Sequence, residues 1–272
     1  MIVVSGASGR LGRRVAQRLD GRVRLLYRDP AKVPSDVEAA VAEYGDREAM
    51  RRALDGAETV LMVSAAETPD RVDRHRSFVD AAVEAGVRQV VYTSFAGAAA
   101  DATFTLARDH WHTEQHIRRS GLAFTFLRDN LYADFLPMMV GADGVIRGPA
   151  GDGRAAVVAQ DDIADAAVAV LRDPAPHVAR TYDLTGPAAV SLAEAAEIIA
   201  AATGREVSYH AETVPEAYAS RAGYDVPAWQ VDAWVTTYTA IAVGELARVS
   251  PDVPRLTGHP ATPLADVLTA DR

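Results

Sequence analysis

The chain has 272 residues, 49% of them hydrophobic, and a formal net charge of −9, an ordinary globular composition long enough to bury a sizeable core. The negative balance argues against nucleic acid as a partner, because phosphate binding needs a basic face. With no cysteine in the chain, disulfides, thiolate nucleophiles and thiolate metal sites are excluded.

Taken in order, the chain opens on an apolar strand at residues 2–4, which leaves no room for a charged leader. No apolar run reaches the length of a bilayer span, so the expectation is a cytoplasmic protein without a membrane partner. A helix over 11–19 follows, then a strand at 23–26 and a less clear one at 37–41. Next come a helix at 47–54, a strand at 59–63, and a long helix over 71–85 that Gly86 ends. A strand at 89–92, a helix at 110–120 stopped by Gly121, and a strand at 124–127 complete the series. Apolar β-branched runs alternating with amphipathic helices predict an α/β protein built on a doubly wound parallel Rossmann sheet.

Beyond that the organisation changes. Residues 148–153 form a turn-rich break. Asp161 or Asp162 is placed to cap a helix over 163–171, and residues 182–184 read as a strand. Ser191 and Glu194 have capping-box spacing for a helix running to Ala202. The rest, with Trp229, Trp234, Tyr238 and several prolines, shows no clear period. It is assigned to a smaller C-terminal α/β substrate lobe. The expected partition is 1–135 with 157–187 for the nucleotide-binding domain, and 136–156 with 188–272 for the lobe.

Gly6-Ala7-Ser8-Gly9-Arg10-Leu11-Gly12 has GxxGxxG spacing and lies between the first strand and the first helix. In that context Gly6 permits a tight turn, Gly9 lets backbone approach a pyrophosphate, and Gly12 allows close helix–strand packing. The helix N-terminus then offers N–H groups to the anion. Cofactor choice follows from the end of the second strand. An acid there holds the ribose 2′-hydroxyl of NAD, but this chain places Arg28 at that point and Lys32 four residues on. Two cations fit the 2′-phosphate of NADP(H), with Arg28 able to bond it through two N–H groups. Asp29 is able to pair with either cation or to face the ribose.

Short-chain dehydrogenases polarise a substrate carbonyl with a Tyr-x-x-x-Lys pair. Lys32 is the sole lysine, so the chain contains no such pair. The helix expected to carry it reads His110-Trp111-His112-Thr113-Glu114-Gln115-His116, and Gln115 keeps a hydrogen-bonding arm without the charge. His112 and His116 share a helix face, but no third ligand motif accompanies them, so no metal is expected. His110 is an alternative general acid. Polar groups also stand at successive strand ends, where a Rossmann ligand lies: Ser64, then Thr93 and Ser94, then Asp129, Asn130 and Tyr132. Tyr132 is the strongest candidate for touching a substrate.

These residues resemble the NmrA-like branch of atypical short-chain dehydrogenases/reductases, in particular its NADPH-dependent quinone oxidoreductase type 2 group. The likeness rests on Val4 to Gly12, Arg28 to Lys32, Tyr44-Gly45-Asp46, Tyr92-Thr93-Ser94, Thr113-Glu114-Gln115, Leu127 to Tyr132, Gly151-Asp152-Gly153 and Gly258-His259-Pro260. It implies NADP(H) held by the residues from Gly6 to Gly12 together with Arg28, Lys32, Asp46, Ser64, Thr93 and Ser94. It also implies a small quinone or activated carbonyl compound as substrate, with Gln115, Tyr132 and Asn130 around it. Glu43 stands where the group has aspartate, and Gln115 where it commonly has lysine. The alternative is a non-catalytic NADP(H)-sensing regulator; homodimer formation is left open.

Overall fold

The computed structural model describes residues 1–270. The chain begins with β1 (Ile2–Val4), α1 (Arg10–Arg18), β2 (Val23–Tyr27), β3 (Ala39–Val41), α2 (Arg47–Ala53), β4 (Thr59–Met62) and α3 (Arg71–Glu84). β5 (Gln89–Phe95), α4 (Thr105–Arg119) and β6 (Ala123–Asp129) follow, then the short strands β7 (Val145–Gly148) and β8 (Arg154–Ala155). α5 (Gln160–Arg172) leads to β9 (Arg180–Leu184). The chain continues through β10 (Val190–Ser191), α6 (Leu192–Thr203) and β11 (Ser208–Ala211). Four helices complete it: α7 (Val214–Arg221), α8 (Ala228–Ala242), α9 (Asp252–Thr257) and α10 (Leu264–Ala270).

Among the described residues, seven strands make one sheet in the order β3-β2-β1-β4-β5-β6-β9. β1 lies parallel to both β2 and β4, with Val3 opposite Arg24 and Val60. The order steps outward from β1 in both directions, as a doubly wound sheet must. Val3, Val4, Val60 and Leu61 are fully buried, the sign of strands covered on both faces. One core gathers Met50, Leu54, Phe78, Val79, Tyr92, Ile117 and Phe126.

The described chain divides into two compact units. The first comprises Met1–Phe95, Asp109–Arg128 and Asp161–Tyr182; the second comprises Ala96–Arg108, Asp129–Gln160 and the residues from Asp183 onward. This differs from the expected partition, because residues 96–108, 129–135, 157–160 and 183–187 fall in the second unit. The bonding there accounts for it. Ala96 N–H donates to the Asp129 carbonyl at 2.9 Å, Asn130 N–H to Leu184 O at 3.1 Å, and Thr103 to the Glu245 carboxylate.

The second unit contains β7 paired in parallel with β11, and β8 antiparallel to β10. α6 begins with the expected capping box of Ser191 and Glu194. Asp161 and Asp162 are not caps: both lie inside the first turn of α5. The carboxylate of Asp134 does that work, accepting from Gln160 N–H at 2.8 Å, and no local pattern reveals so distant a partner. The stretch without clear period is largely helical, with α8 burying Ala233, Val235, Tyr238 and Ile241. No helix among the described residues is long and apolar enough to cross a membrane.

Candidate functional site

Between β1 and α1 the backbone doubles back at Gly6, whose φ is +64°, a conformation that suits glycine. Gly9 N–H donates to Gly6 O at 2.8 Å and closes the turn. A Cβ at Gly12 would lie inside 3.0 Å of the Gly6 carbonyl, so α1 sits against the loop as the spacing predicted. No side chain caps α1, and its first turn holds no acid. Arg10 and Arg13 instead place positive charge at the positive end of the helix dipole. That arrangement is unfavourable alone and favourable around an anion. Ala7, Leu11 and Gly12 are buried beneath the turn, while Ser8 and Gly9 line the space above it.

That space is a cavity of about 280 Å³ bordered by Gly6, Ser8, Gly9, Arg28, Tyr44, Ser64 and Arg74. Asp29 is spent locally: its carboxylate accepts from Ala31 N–H at 3.0 Å and caps the single turn Pro30–Lys32. Arg28 and Lys32 are exposed, and neither side chain has a hydrogen bond or ion pair within the described residues. Arg28 borders the cavity and Lys32 does not. Asp46 is turned away from it, capping α2 through Ala49 N–H at 2.9 Å.

Tyr44 and Arg74 also line the cavity, and neither was among the candidate residues. Tyr44 donates to Val63 O at 2.6 Å and receives the Ser5 hydroxyl at 2.5 Å. Ser5 in turn accepts from Val63 N–H at 2.9 Å, so the wall is pinned to the β1 and β4 ends. Burial holds the Tyr44 phenol above its ordinary range. Arg74 bridges Glu43 at 2.7 Å and Asp70 at 2.8 Å. The i,i+4 spacing of Asp70 and Arg74 was a readable signal, but its alignment with Glu43 depends on the fold.

The loop after β4 is held from below. Thr93 Oγ1 accepts from Ser64 N–H at 2.9 Å, and His75 Nε2 accepts from Ala65 N–H at 2.9 Å. Buried Arg71 donates to Ala65 O at 3.0 Å, to Ser64 Oγ, and to His110 Nε2 at 3.1 Å. Since Nε2 accepts, Nδ1 carries the ring proton and donates to Tyr92 Oη at 2.9 Å. Burial and the Arg71 charge push His110 far below its ordinary pKa, and burial brings His75 to about 3. Both rings are neutral struts, so His110 has no imidazolium with which to act as a general acid. Ser94 is likewise committed: it donates to Glu114 Oε1 at 2.6 Å, and Glu114 is paired with Arg128 at 2.7 Å.

Of the three candidate catalytic residues, Gln115 lies on α4 in the first unit, half-buried and without a side-chain partner. Asn130 and Tyr132 lie in the second unit, just past β6. Asn130 is buried and occupied at both ends, donating to Leu246 O at 3.0 Å and accepting from Leu131 N–H at 2.7 Å. Tyr132 is half-buried and donates to Asp129 Oδ2 at 3.0 Å.

Comparison with known proteins agrees with this geometry. Residues 6–174 match a family model described as NAD(P)H-binding. The chain is similar to quinone oxidoreductase 2 of Escherichia coli, at 31% identity over 98% of this chain and 96% of that one. It is also similar to an NAD(P)H azoreductase of Xenophilus azovorans, at 32% identity over 99% and 97% of the two chains. The crystal structure of the Escherichia coli quinone oxidoreductase complexed with NADPH superimposes with a TM-score of 0.90, at 30% identity and 99% coverage of both chains.

Proposed function

The chain belongs to the NAD(P)H-binding family, and from that premise we propose that it is a cytoplasmic NADPH-dependent oxidoreductase. Its acceptor is a quinone or a similarly activated small carbonyl compound, and it works without the Tyr-x-x-x-Lys pair. The observation that carries this reading is the cavity above the glycine turn. Its backbone cradle closes on Gly6 and Gly12, the acid past the β2 end, Asp29, is spent on the cap of Pro30–Lys32, and Arg28 borders the cavity without a side-chain partner among the described residues. These residues fit a nucleotide with an extra phosphate. The full-length likeness to a quinone reductase and an azoreductase supports the choice of acceptor.

In this reading the turn from Gly6 to Gly12 and the first turn of α1 hold the pyrophosphate, and Arg28 holds the 2′-phosphate with Lys32 adding charge. Ser64 faces the cofactor; Thr93, His75 and Arg71 fix the loop that presents it. Asp46 and Ser94 support the wall through the bonds described above. Bound NADPH supplies the hydride. Gln115 offers its amide to a cofactor ribose; Tyr132 donates to the acceptor oxygen, and Asn130 holds the backbone beside Tyr132.

A quinone spreads the developing negative charge over its ring, so weak donors suffice. An unactivated ketone needs a strong positioned acid, worth roughly 10²–10⁴ in rate. Purified protein should therefore oxidise NADPH with benzoquinones or naphthoquinones and leave aliphatic ketones nearly untouched. Equal rates with both classes would overturn the acceptor assignment. NADPH binding without turnover on any acceptor would favour the sensing alternative.

A further inference from the structure

The end of β6 holds a carboxyl that the reading above does not use. Asp129 is 1% exposed. Its Oδ2 bonds Tyr132 at 3.0 Å, and its Oδ1 is buried with no hydrogen-bond partner. Asp129 forms no salt bridge among the described residues, and the Tyr132 hydrogen bond opposes the burial that raises its pKa well above the usual carboxylate range. A carboxylate out of water with neither a cation nor backbone donors is strongly disfavoured, and such a group neutralises instead. A neutral acid resolves the bonding. One oxygen carries a proton that it can give to Tyr132 Oη, and the phenolic proton of Tyr132 is then released to point elsewhere. Tyr132 also packs edge-on against Phe135, with ring centroids 5.3 Å apart. Phe135 borders a cavity of about 560 Å³ in the same unit, lined by Met138, Met139, Tyr224, Trp234 and Tyr238 among others.

We propose that Asp129 and Tyr132 form a proton relay that stands in for the absent Tyr-x-x-x-Lys pair, with Tyr132 giving the proton to the reduced acceptor and Asp129 replacing it. The inference rests on the reductase reading. Each turnover moves one hydride, with its two electrons, from NADPH to the quinone. Tyr132 breaks its O–H bond and forms one to the hydroquinone oxygen. The Tyr132 oxyanion takes the Asp129 proton, and water returns a proton to the carboxylate. Tyr132 is the catalytic residue of the pair, and Asp129 is the group that positions and recharges it.

The test has two arms. In the protein without cofactor, isotope-edited infrared spectra with labelled aspartate should show a protonated carboxyl at neutral pH. That band should vanish in Asp129→Asn and shift in Tyr132→Phe, which takes away its hydrogen bond. With 1,4-benzoquinone and NADPH, Tyr132→Phe should lower kcat about tenfold with KM within about threefold. The unmodified protein should lose rate as pH rises through the Asp129 pKa, and Asp129→Asn should lack that alkaline limb. A folded Asp129→Asn protein with an unchanged pH profile would overturn the relay, as would absence of the carboxyl band in the unmodified protein. If the unmodified protein reduces no quinone, the reductase reading falls and takes the relay with it. Normal turnover with an unaltered limb removes the relay alone.

Discussion

The ends of β2 and β6 handle charge in opposite ways. After β2 the chain leaves Arg28 and Lys32 in water and spends Asp29 on a cap. After β6 it takes Asp129 out of water and leaves one of its oxygens without a partner. An exposed cation recognises a ligand by attraction and stays charged throughout the working pH range. A buried acid can act only by keeping its proton. The first arrangement suits binding, and the second suits proton transfer.

The glycine turn next to the β2 end gives the largest expected effect and shows that the binding side also depends on close packing. Gly12→Ala would put a methyl group inside 3.0 Å of a backbone carbonyl that no side-chain rotation can relieve. α1 must then shift, at a cost of about 1–3 kcal/mol in stability. The N–H groups facing the pyrophosphate shift with it. NADPH affinity should fall roughly a hundredfold or more, or about 2.8 kcal/mol. Thermal melting and fluorescence titration check both effects. A variant that binds NADPH normally would mean that the turn tolerates displacement and that the cradle is elsewhere.

How much of this was legible differs between the two ends for physical reasons. Gly6, Gly9 and Gly12 act through the backbone of one short segment, so their spacing alone carried the message. That Arg28 borders the cavity was readable because the second strand places the next residue at the sheet edge whatever surrounds it. The capping box at Ser191 was equally local. Asp134 capping α5 was not legible, and neither was Arg74 reaching Glu43, because each pair meets only through the fold. Thr93 and Ser94 were read as strand-end polar groups, but the sequence did not show that their hydroxyls are engaged by Ser64 N–H and Glu114. Asp129 stood in the same list, and only burial separates it from the others. The helix α8 was missed because its apolar residues do not make one clean stripe; tertiary packing, not periodicity, holds it.

Asp129→Asn sharpens the comparison through stability rather than rate. The unfolded carboxyl ionises above about pH 3.9, while the folded one keeps its proton to much higher pH. Between those two pKa values the folded state binds the extra proton, so rising pH costs the unmodified protein stability. The loss is about 1.4 kcal/mol per pH unit from this group. Asparagine has no such dependence. In urea denaturation from pH 4.5 to 7, the variant should gain steadily on the unmodified protein as pH rises. Parallel curves would show that Asp129 is ionised in the folded state, and the contrast between the two strand ends would disappear.

The smallest effect belongs to Arg28, as its exposure requires. Water screens an exposed guanidinium, so a pair with it contributes modestly unless the geometry is bidentate. A phosphate offers that geometry, and no carboxylate within the described residues competes for Arg28. Arg28→Ala should weaken NADPH binding about tenfold, or about 1.4 kcal/mol. NADH, which has no 2′-phosphate, should bind as before. Lys32, also exposed and unpaired, should retain part of the preference by charge alone. Salt separates the two contributions. Raising ionic strength should erode the remaining preference of Arg28→Ala more than that of the unmodified protein, because a point charge at a distance is screened more than a bonded pair. If Arg28→Ala weakens NADH and NADPH equally, the residue shapes the cavity wall without meeting the phosphate, and the β2 end would owe its specificity to Lys32.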